Sequence, residues 1–468
     1  MGSGISGLTI ALLQARQGKR VTLIERQPKI GGYLNRFMRD GLHFDTGFHF
    51  TGGNGGIFQQ ILEKLEFDVG DFKSSPLPTD VWLEETQRRF DFPNRGLQAQ
   101  CQAVCDAFPE KAASIRQYYE AELNSIIDSP LHDLSLLKRM DALSGMTEFD
   151  AITVNDLFLK LGIDEPQLRA LLPIMAVCHG TPPCEASMAH HSRCSYSLDS
   201  SISTVENGGD AFLAAFRRGF SQLDVTMRSA TTISQLRCSE NAPVCQEAVL
   251  SDGTSLPVER IFFAVHPSAF LPLFPERLLG RSIMRRSLAL KSTGGCFAMH
   301  GFFDDDFRPP SRFSICLRRN ELDSALLPGQ RNRSISIVTA NEADNGRATF
   351  TVFSNMFPDD CPPYHGDEYD DFKERTGAEL LDTIFGIYPE YRGRMHVTDV
   401  STPWTARRYS PPDGSAYGTR QIMSQSRISG RLPLENCFCL GHHAQFPGIL
   451  GCMLGALILN ELISKPEF

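Results

Sequence analysis

The glycine-rich start of the chain constrains the fold more than any other feature. In MGSGISGLTIALLQARQGKRVTLIER, Gly2, Gly4 and Gly7 have the spacing of a dinucleotide-binding turn. In such a turn the glycines join a buried strand to a helix whose N-terminus faces a pyrophosphate. The sequence therefore contains the glycine turn (residues 2–7), but no strand precedes it.

The residues after the turn complete the rest of the unit. Apolar residues recur at helical spacing over 8–15, Gly18 is placed to end the helix, and 21–24 is typical of a buried strand. Glu25 follows Gly4 by 21 residues. An acidic side chain there accepts hydrogen bonds from both ribose hydroxyls of an adenosine and repels a 2′-phosphate. The unit therefore predicts binding of FAD or NAD rather than NADP.

Length, composition and charge exclude several classes of protein. At 468 residues the chain is expected to form two domains, which can be interleaved. Its 41% hydrophobic and 22% charged residues are ordinary for a soluble globular protein. The net charge of -9 and the pI near 5.8 argue against a nucleic-acid partner. The lack of a long basic run argues against a polybasic membrane patch.

The cysteines point to a reducing environment. The chain has 13 of them, scattered and without paired CxxC motifs, which favours neither a disulfide framework nor a metal site. Cys101 with Cys105 and Cys437 with Cys439 are interpreted as packed thiols. We expect a cytoplasmic protein, with a peripheral membrane contact as an alternative.

The most hydrophobic stretch is PGILGCMLGALILNELI near the C-terminus. It is short for a membrane span and is interrupted by glycines, Asn460 and Glu461, so we expect a buried helix. At the other end, the first apolar stretch is the helix of the glycine turn itself, and no secretory signal is expected.

Periodicity elsewhere predicts a mixed architecture. Residues 110–195 have mostly helical patterns, and residues 290–355 are rich in short β-segments. Between them, short strands are expected near 225–227, 233–236, 247–250 and 261–265, with a hairpin turn at Ser-Asp-Gly 251–253.

Several motifs together resemble one family along nearly the whole chain. They are GSGISGL, the strand ending in Glu25, Gly31-Gly32 with GLHFDTG, ENGGDAF, LSDGTSLPVERIFFAV, TPWTARRYSPPDGSAYG and CFCLGHHAQFPGILGCMLGA. This combination resembles the phytoene desaturase, carotenoid isomerase and retinol saturase group of FAD-dependent oxidoreductases, which shares the fold of the amine oxidases. TPWTARRY followed by GSAYG points to the isomerase and saturase side.

The resemblance implies an α/β fold. A Rossmann-like FAD-binding domain, here without its first strand, would be interleaved with a mixed α+β substrate domain. The FAD-binding domain would comprise residues 1–70, 200–268 and 430–468. The substrate domain would comprise 71–199, helical, and 269–429, rich in β-structure.

The resemblance also assigns cofactor contacts at the N-terminal end. The glycine turn would approach the FAD pyrophosphate, and Glu25 would hold the adenosine ribose. Gly31, Gly32 and Arg36 correspond to a second glycine motif, in which a basic side chain can neutralise phosphate. Arg36 is displaced from the usual basic position, where this chain has Tyr33.

The remaining implied contacts lie further along the chain. The backbone of Ile233 would contact the adenine, although Ile233 also suits an ordinary apolar strand. Residues 441–455 resemble the segment that carries the flavin ring. There Gly441, Pro447 and Gly448 lead into a helix whose N-terminus would favour negative charge on reduced flavin.

Histidines are the candidates for direct catalysis. His442 and His443 stand next to the flavin turn and are the candidate catalytic residues, with packing or solvation as the alternative. His49 and His179 rank lower because they follow apolar segments.

The implied reaction acts on a long polyene by hydride transfer to or from flavin, or by isomerisation of a double bond. Such chemistry needs an apolar tunnel and little acid–base help. Residues 180–196 would belong to the substrate domain. The apolar helix expected around 171–177 could line the tunnel, contact a membrane or form core.

Three functional interpretations follow. The first is flavin redox chemistry on a lipophilic polyene or isoprenoid, with an undetermined redox partner. The second is a flavin amine oxidase. The third is a flavin-free prenyl-binding protein of the same fold, as in the Rab GDP-dissociation inhibitors, against which the intact glycine turn, Glu25 and 441–455 argue.

The missing strand generates a prediction. We expect a truncated or misassigned start, with a native chain that begins at Met1 as the alternative. A missing central strand would expose two sheet edges, unseat the glycine turn and weaken FAD binding. Adding about 5 to 8 apolar residues upstream should therefore raise flavin occupancy, measured by visible absorbance. Equal occupancy with and without them would contradict this.

Overall fold

The structure is a computed structural model that describes residues 1–53, 56–139, 146–279, 281–330, 334–340, 346–410, 412–423, 425 and 430–465. The α-helices in these ranges are α1 Ile5–Arg16, α2 Ile57–Lys64, α3 Leu97–Ala107, α4 Ala112–Asn124, α5 Val154–Leu161, α6 Pro166–Leu171, α7 Met188–Ser200, α8 Gly209–Phe220, α9 Pro267–Phe270, α10 Arg281–Leu288, α11 Leu322–Leu326, α12 Asp367–Ile387, α13 Pro403–Arg407 and α14 Gly448–Leu462.

The β-strands in the same ranges lie singly or in runs between these helices. They are β1 Val21–Ile24, β2 Arg36–Arg39, β3 Leu42–Asp45, β4 Thr51–Gly52, β5 Ser74–Pro76, β6 Thr79–Leu83, β7 Arg88–Phe92, β8 Ile202–Val205, β9 Val225–Arg228, β10 Ile233–Cys238, β11 Cys245–Leu250, β12 Ser255–Pro257, β13 Ile261–Phe263, β14 Gly295–Phe303, β15 Arg312–Leu317, β16 Ser334–Ala340, β17 Thr349–Met356, β18 Met395–Ser401, β19 Gly430–Arg431 and β20 Cys437–Cys439.

Two small parallel pairings form the base of the layer that contains the glycine turn. β1 pairs with β9, and β13 pairs with β20. Met1 and Gly2 lie between the two pairs, because Gly2 N donates to Ile24 O at 2.8 Å and Ala264 N donates to Met1 O at 2.8 Å. The expected unseating of the glycine turn is therefore wrong in this structure. Two residues supply hydrogen bonds to both neighbouring segments and hold the turn.

Helices α1 and α14 pack together against this layer. Gln14 Nε2 donates to Asn460 Oδ1 at 2.8 Å across the pair. Residues 450–459 of α14 are all buried, which confirms the buried C-terminal helix. None of the helices in the described ranges combines the length and hydropathy that crossing a bilayer requires.

A seven-stranded mixed sheet dominates the remainder. Its strand order is β18-β14-β17-β16-β15-β6-β7, and α12 packs on it through Leu380 and Ile384. The hairpin β11–β12 turns at 251–253, as the sequence predicts. The periodic prediction of mixed helices and short strands is confirmed, whereas the boundary between two domains stays a prediction.

Helices α3 to α7 share a core with one edge of this sheet. The segment 171–177 is not one helix, because α6 ends at Leu171 and Pro173 starts a separate 3-10 turn over Ile174–Cys178. Its apolar side chains are buried, Ile174 at 0% exposure and Met175 at 1%. This segment is core, and the membrane-contact interpretation of it is wrong.

Two acids are buried in this helical core. Glu122 on α4 and Asp199 on α7 are 0% and 4% exposed, and Ser195 Oγ donates to Glu122 Oε1 at 3.4 Å. The charge of Asp199 adds to burial in raising the pKa of Glu122, so a proton on one of the two carboxyl groups is favoured. Burial raises the pKa of Asp199 to about 8 and raises that of Glu122 well above its usual value.

This pair generates a prediction on stability. A carboxyl group whose pKa is raised by folding stabilises the protein fully below its unfolded pKa, and loses that contribution as the pH rises through the folded pKa. Glu122→Gln removes one such group, so its unfolding free energy should fall less than that of the wild type between about pH 5 and pH 8. Denaturant unfolding measures this, with exposed Glu120→Gln on the same helix as control. If the unfolding free energies of Glu122→Gln and wild type depended on pH in the same way, the raised pKa of Glu122 would be contradicted.

Candidate flavin site

The glycine turn is built by close backbone contact. Gly2 has φ +91°, and a Cβ there would stand 2.6 Å from Ala264 O. A Cβ on Gly7 would stand 1.9 Å from Gly2 O. Any side chain at these two positions would push β13 and α1 away from the turn. Both glycines are therefore required by packing alone.

Gly4 has a different environment. It is the N-cap of α1 with φ −64°, a conformation open to any residue, and no atom lies within 4 Å of the position its Cβ would occupy. Gly32, at φ +55°, closes one side of this space, since its own Cβ position lies 3.1 Å from Gly4 Cα. The first turn of α1 thus faces open space, where a helix N-terminus favours an anion.

Glu25 is oriented by a residue inside the glycine turn. Its Oε2 accepts from Ser3 N at 2.9 Å and from Ser3 Oγ at 2.7 Å, and its Oε1 accepts from Gln27 N at 2.7 Å. A carboxylate has about four lone-pair sites, so it keeps capacity for further donors. Sequence reasoning missed Ser3, because a serine at a variable position of the motif carries no pattern.

The second glycine motif lies against the first. Gly31 N donates to Ser3 O and to Ser3 Oγ, each at 3.1 Å. Arg36 Nε lies 3.2 Å from Asp45 Oδ1 across the β2–β3 hairpin, so the structure gives this cation a carboxylate partner. A contact between Arg36 and phosphate stays a prediction.

Ile233 begins the strand next to Glu25. Thr231 N, two residues earlier, donates to Glu25 O at 2.9 Å, and Ile233 itself is 5% exposed opposite Leu250. The strand entry therefore lies beside the backbone of Glu25, the residue predicted to hold the ribose. The apolar core role of Ile233 is observed, and the adenine contact stays a prediction.

The C-terminal turn (residues 441–448) lies over the start of α1. Gly441 has φ +98°, and its Cβ position lies 3.3 Å from Ser6 Oγ. Pro447 is the N-cap of α14, and Gly448, at φ +73°, has no atom within 4 Å of its Cβ position. The glycine turn and the C-terminal turn are thus brought together, with open space at the N-terminus of each helix.

His442 and His443 are in direct contact at this turn. Their Nε2 atoms are 2.7 Å apart, so one ring donates to the other. His443 is 6% exposed and His442 is partly exposed. Desolvation lowers the pKa of His442 to about 4 and lowers that of His443 well below its usual value. Both rings are therefore neutral at physiological pH.

Sequence reasoning missed a third histidine. His266, just after β13, lies edge to face with His443 at a ring-centroid distance of 4.6 Å. Its only sequence signal is its place after a predicted strand.

Tyr417 was missed as well. Gly180 at φ +70° approaches it, with the Gly180 Cβ position 3.1 Å from Tyr417 Cδ2.

The two lower-ranked histidines have structural partners. His179 Nε2 lies 3.0 Å from His191 Nδ1, and burial lowers its pKa well below the usual value. His49 stacks on Phe353 with ring centroids 5.4 Å apart, and burial lowers its pKa to about 3. Both are neutral packing residues in this structure.

Aromatic groups beside the C-terminal turn are also uncharged. Burial raises the pKa of Tyr33 to about 12 and that of Tyr417 well above its usual value. Tyr33 lies 6.5 Å from His442 between ring centroids. The site thus presents neutral, desolvated groups, which suits an apolar reactant.

The residues present fit a flavin dinucleotide. Among the described residues, His443 Nδ1 is buried without a hydrogen-bond partner. Gly4 and Gly448 border space that a side chain would fill. Unpaired buried polar atoms and glycines without packing reasons are expected where a ligand supplies the contacts.

Comparison with known proteins agrees with this geometry. Residues 5–451 match the family model of the flavin containing amine oxidoreductases. A solved oxidoreductase from Methanosarcina mazei has a TM-score of 0.67 at 13% identity, with 99% of each chain covered, and so shares the fold. The chain belongs to the flavin containing amine oxidoreductases and is a flavin-dependent oxidoreductase.

Two relatives place the chain more closely within the flavin containing amine oxidoreductases. The all-trans-retinol 13,14-reductase of Danio rerio is 22% identical over 99% of this chain and 85% of its own length. Prolycopene isomerase 1 of an Oncidium hybrid cultivar is 31% identical over 96% of this chain and 80% of its own length. Within the amine oxidoreductases, the chain therefore belongs to the carotenoid and retinoid group, which confirms the resemblance seen in its motifs. A flavin-free binding protein is thereby set aside.

The contrast between Gly4 and Gly7 gives a prediction. Gly7→Ala should lower the unfolding free energy by about 1–3 kcal/mol, because its methyl group overlaps Gly2 O. Gly4→Ala should change stability by less than about 1 kcal/mol but abolish FAD binding, because its methyl group enters the space before α1. Thermal unfolding and flavin titration measure the two effects. Unchanged FAD affinity in Gly4→Ala would contradict the assignment of that space.

Proposed function

We propose that this chain is an FAD-dependent oxidoreductase that acts on carbon–carbon bonds of a long apolar polyene or isoprenoid, by saturation, desaturation or cis–trans isomerisation. The observation that carries the proposal is the similarity to a retinol reductase and a prolycopene isomerase over nearly the whole chain. The neutral, desolvated groups around the C-terminal turn support it.

FAD would lie between the two turns. The glycine turn and Gly32 would face the pyrophosphate, Glu25 the adenosine ribose, and Ile233 the adenine. The C-terminal turn would carry the flavin ring. Bound FAD supplies the acceptor or donor of a hydride, which the protein's own side chains cannot provide.

The chain's own residues would orient the reactants and exclude water. The N-terminus of α14 favours negative charge close to the ring, because its first peptide N–H groups point out of the helix. His442 and His443 remain the candidate catalytic residues and, being neutral, would act through hydrogen bonds rather than as cations.

An apolar substrate would reach the ring from the helical core side. Gly180 brings the segment before α7 against Tyr417, and Gly418 in turn lies against His442. A Cβ at Gly418 would stand 2.6 Å from His442 O. This contact would let the substrate-binding part set the shape of the cavity at the flavin.

The domain division and the location are part of the proposal. Residues 1–70, 200–268 and 430–468 would bind FAD, and 71–199 with 269–429 would bind substrate. The cysteines are all free thiols, which supports a reducing compartment such as the cytoplasm. A peripheral membrane contact would give a lipophilic substrate a route to the site.

A second candidate function is oxidation of an amine. The carboxylate of Asp413 interacts electrostatically with His442 and His266, so one acidic group lies beside the C-terminal turn. A carboxylate in that place could hold a substrate ammonium group. The other groups around the C-terminal turn are neutral, which favours a polyene over an amine as the substrate.

The test is anaerobic turnover of the FAD-loaded chain. The chain loaded with reduced FAD is mixed with retinol or prolycopene. The chain loaded with oxidised FAD is mixed with a partly saturated polyene. We expect a change in conjugation or double-bond geometry by chromatography, lost in Gly4→Ala, which serves as the flavin-free control. Bleaching of the flavin by an aliphatic amine, with no polyene converted in either arm, would contradict the proposal and favour amine oxidation.

A further inference from the structure

His266 has a hydrogen-bonding pattern that fixes its tautomer. It is the N-cap of α9, and its Nδ1 accepts from Ser268 N at 3.1 Å. Ser268 Oγ lies 2.8 Å from the same nitrogen. An Nδ1 that accepts a backbone N–H carries no proton of its own, so in the neutral ring Nε2 carries the hydrogen.

That N–H group has no partner. His266 is 6% exposed, and in the described part of the chain its Nε2 makes no hydrogen bond. A buried donor left unpaired is costly, and such groups are rare unless a ligand or water satisfies them. The ring is fixed from both sides, by Ser268 and by its edge-to-face contact with His443.

The place of His266 in the fold identifies the ligand. β13 and β20 are neighbouring parallel strands, and His266 and His443 follow their carboxyl ends. Ligands of open α/β sheets bind in the crevice at these ends. Ala264, two residues before His266, contacts Gly2 of the glycine turn. The unpaired N–H thus stands between the two turns assigned to the cofactor.

We propose that His266 is a cofactor-positioning residue, which donates its Nε2–H to an acceptor oxygen of bound FAD. The inference rests on the proposed function, since it takes FAD as the ligand. Nearby titratable groups are His442, His443 and the carboxylate of Asp413. Because burial lowers the pKa of His266, the ring donates as neutral imidazole rather than as a cation.

Two amide substitutions separate the N-cap role of His266 Nδ1 from the donor role of His266 Nε2. In His266→Asn the amide reaches the place of Nδ1, so Oδ1 can still cap Ser268 N, but no donor reaches the place of Nε2. In His266→Gln the amide reaches the place of Nε2 and keeps a donor there, but the cap is lost. Exposed His43→Asn is the control for loss of an imidazole elsewhere.

The experiment titrates each purified variant with FAD and records thermal unfolding without FAD. We expect His266→Asn to bind FAD about tenfold more weakly, with at most a small loss of melting temperature from its shorter side chain. His266→Gln should bind FAD within about threefold of wild type with a lower melting temperature, because the N-cap hydrogen bond to Ser268 N is lost.

The following results would overturn the proposed role of His266. Equal FAD affinity of wild type and His266→Asn, while wild type binds FAD, would overturn the role of His266 and leave the proposed function intact. A wild-type chain that takes up no FAD at any concentration would overturn both. A His266→Asn variant with lowered melting temperature but unchanged affinity would show that the imidazole is structural only.

Discussion

The site depends on one close backbone contact, that of Gly2 with Gly7 and Ala264. With no Cβ at Gly2 or Gly7, α1 comes near enough to β13 for the carbonyl of Gly2 to fill the space a side chain would need. The turn then presents Ser3 to Glu25, and Gly31 to Ser3, through hydrogen bonds of 2.7–3.1 Å. Everything that would bind the adenosine half of a dinucleotide follows from this contact.

The second half of the site is arranged by α14. This helix packs along α1, and its N-terminus and the preceding turn therefore lie over the glycine turn. Residues 450–459 of this helix are apolar on all sides and buried on all sides. Burial extends to the turn, where it keeps His442 and His443 neutral, and to Tyr33 beside the turn, whose pKa it raises to about 12. A desolvated setting of mostly neutral groups suits hydride chemistry on an apolar chain.

Local patterns in the sequence predicted much of this arrangement. Periodicity placed α1, β1 and α14, and the spacing from Gly4 to Glu25 located the carboxylate. Two errors have physical reasons. Pro173 breaks the helix expected over 171–177. The turn was expected to come loose without a strand, whereas hydrogen bonds from Met1 and Gly2 to both neighbouring segments hold it. His266, Ser3 and Tyr417 were not predictable, since their roles come from contacts between residues far apart in the chain.

The most direct measurement is the visible absorption spectrum of the purified, folded chain before and after addition of FAD and removal of the excess. If the two turns form a flavin site, bands at about 370 and 450 nm remain with the protein. A folded chain that retains no flavin under saturating FAD would contradict the account.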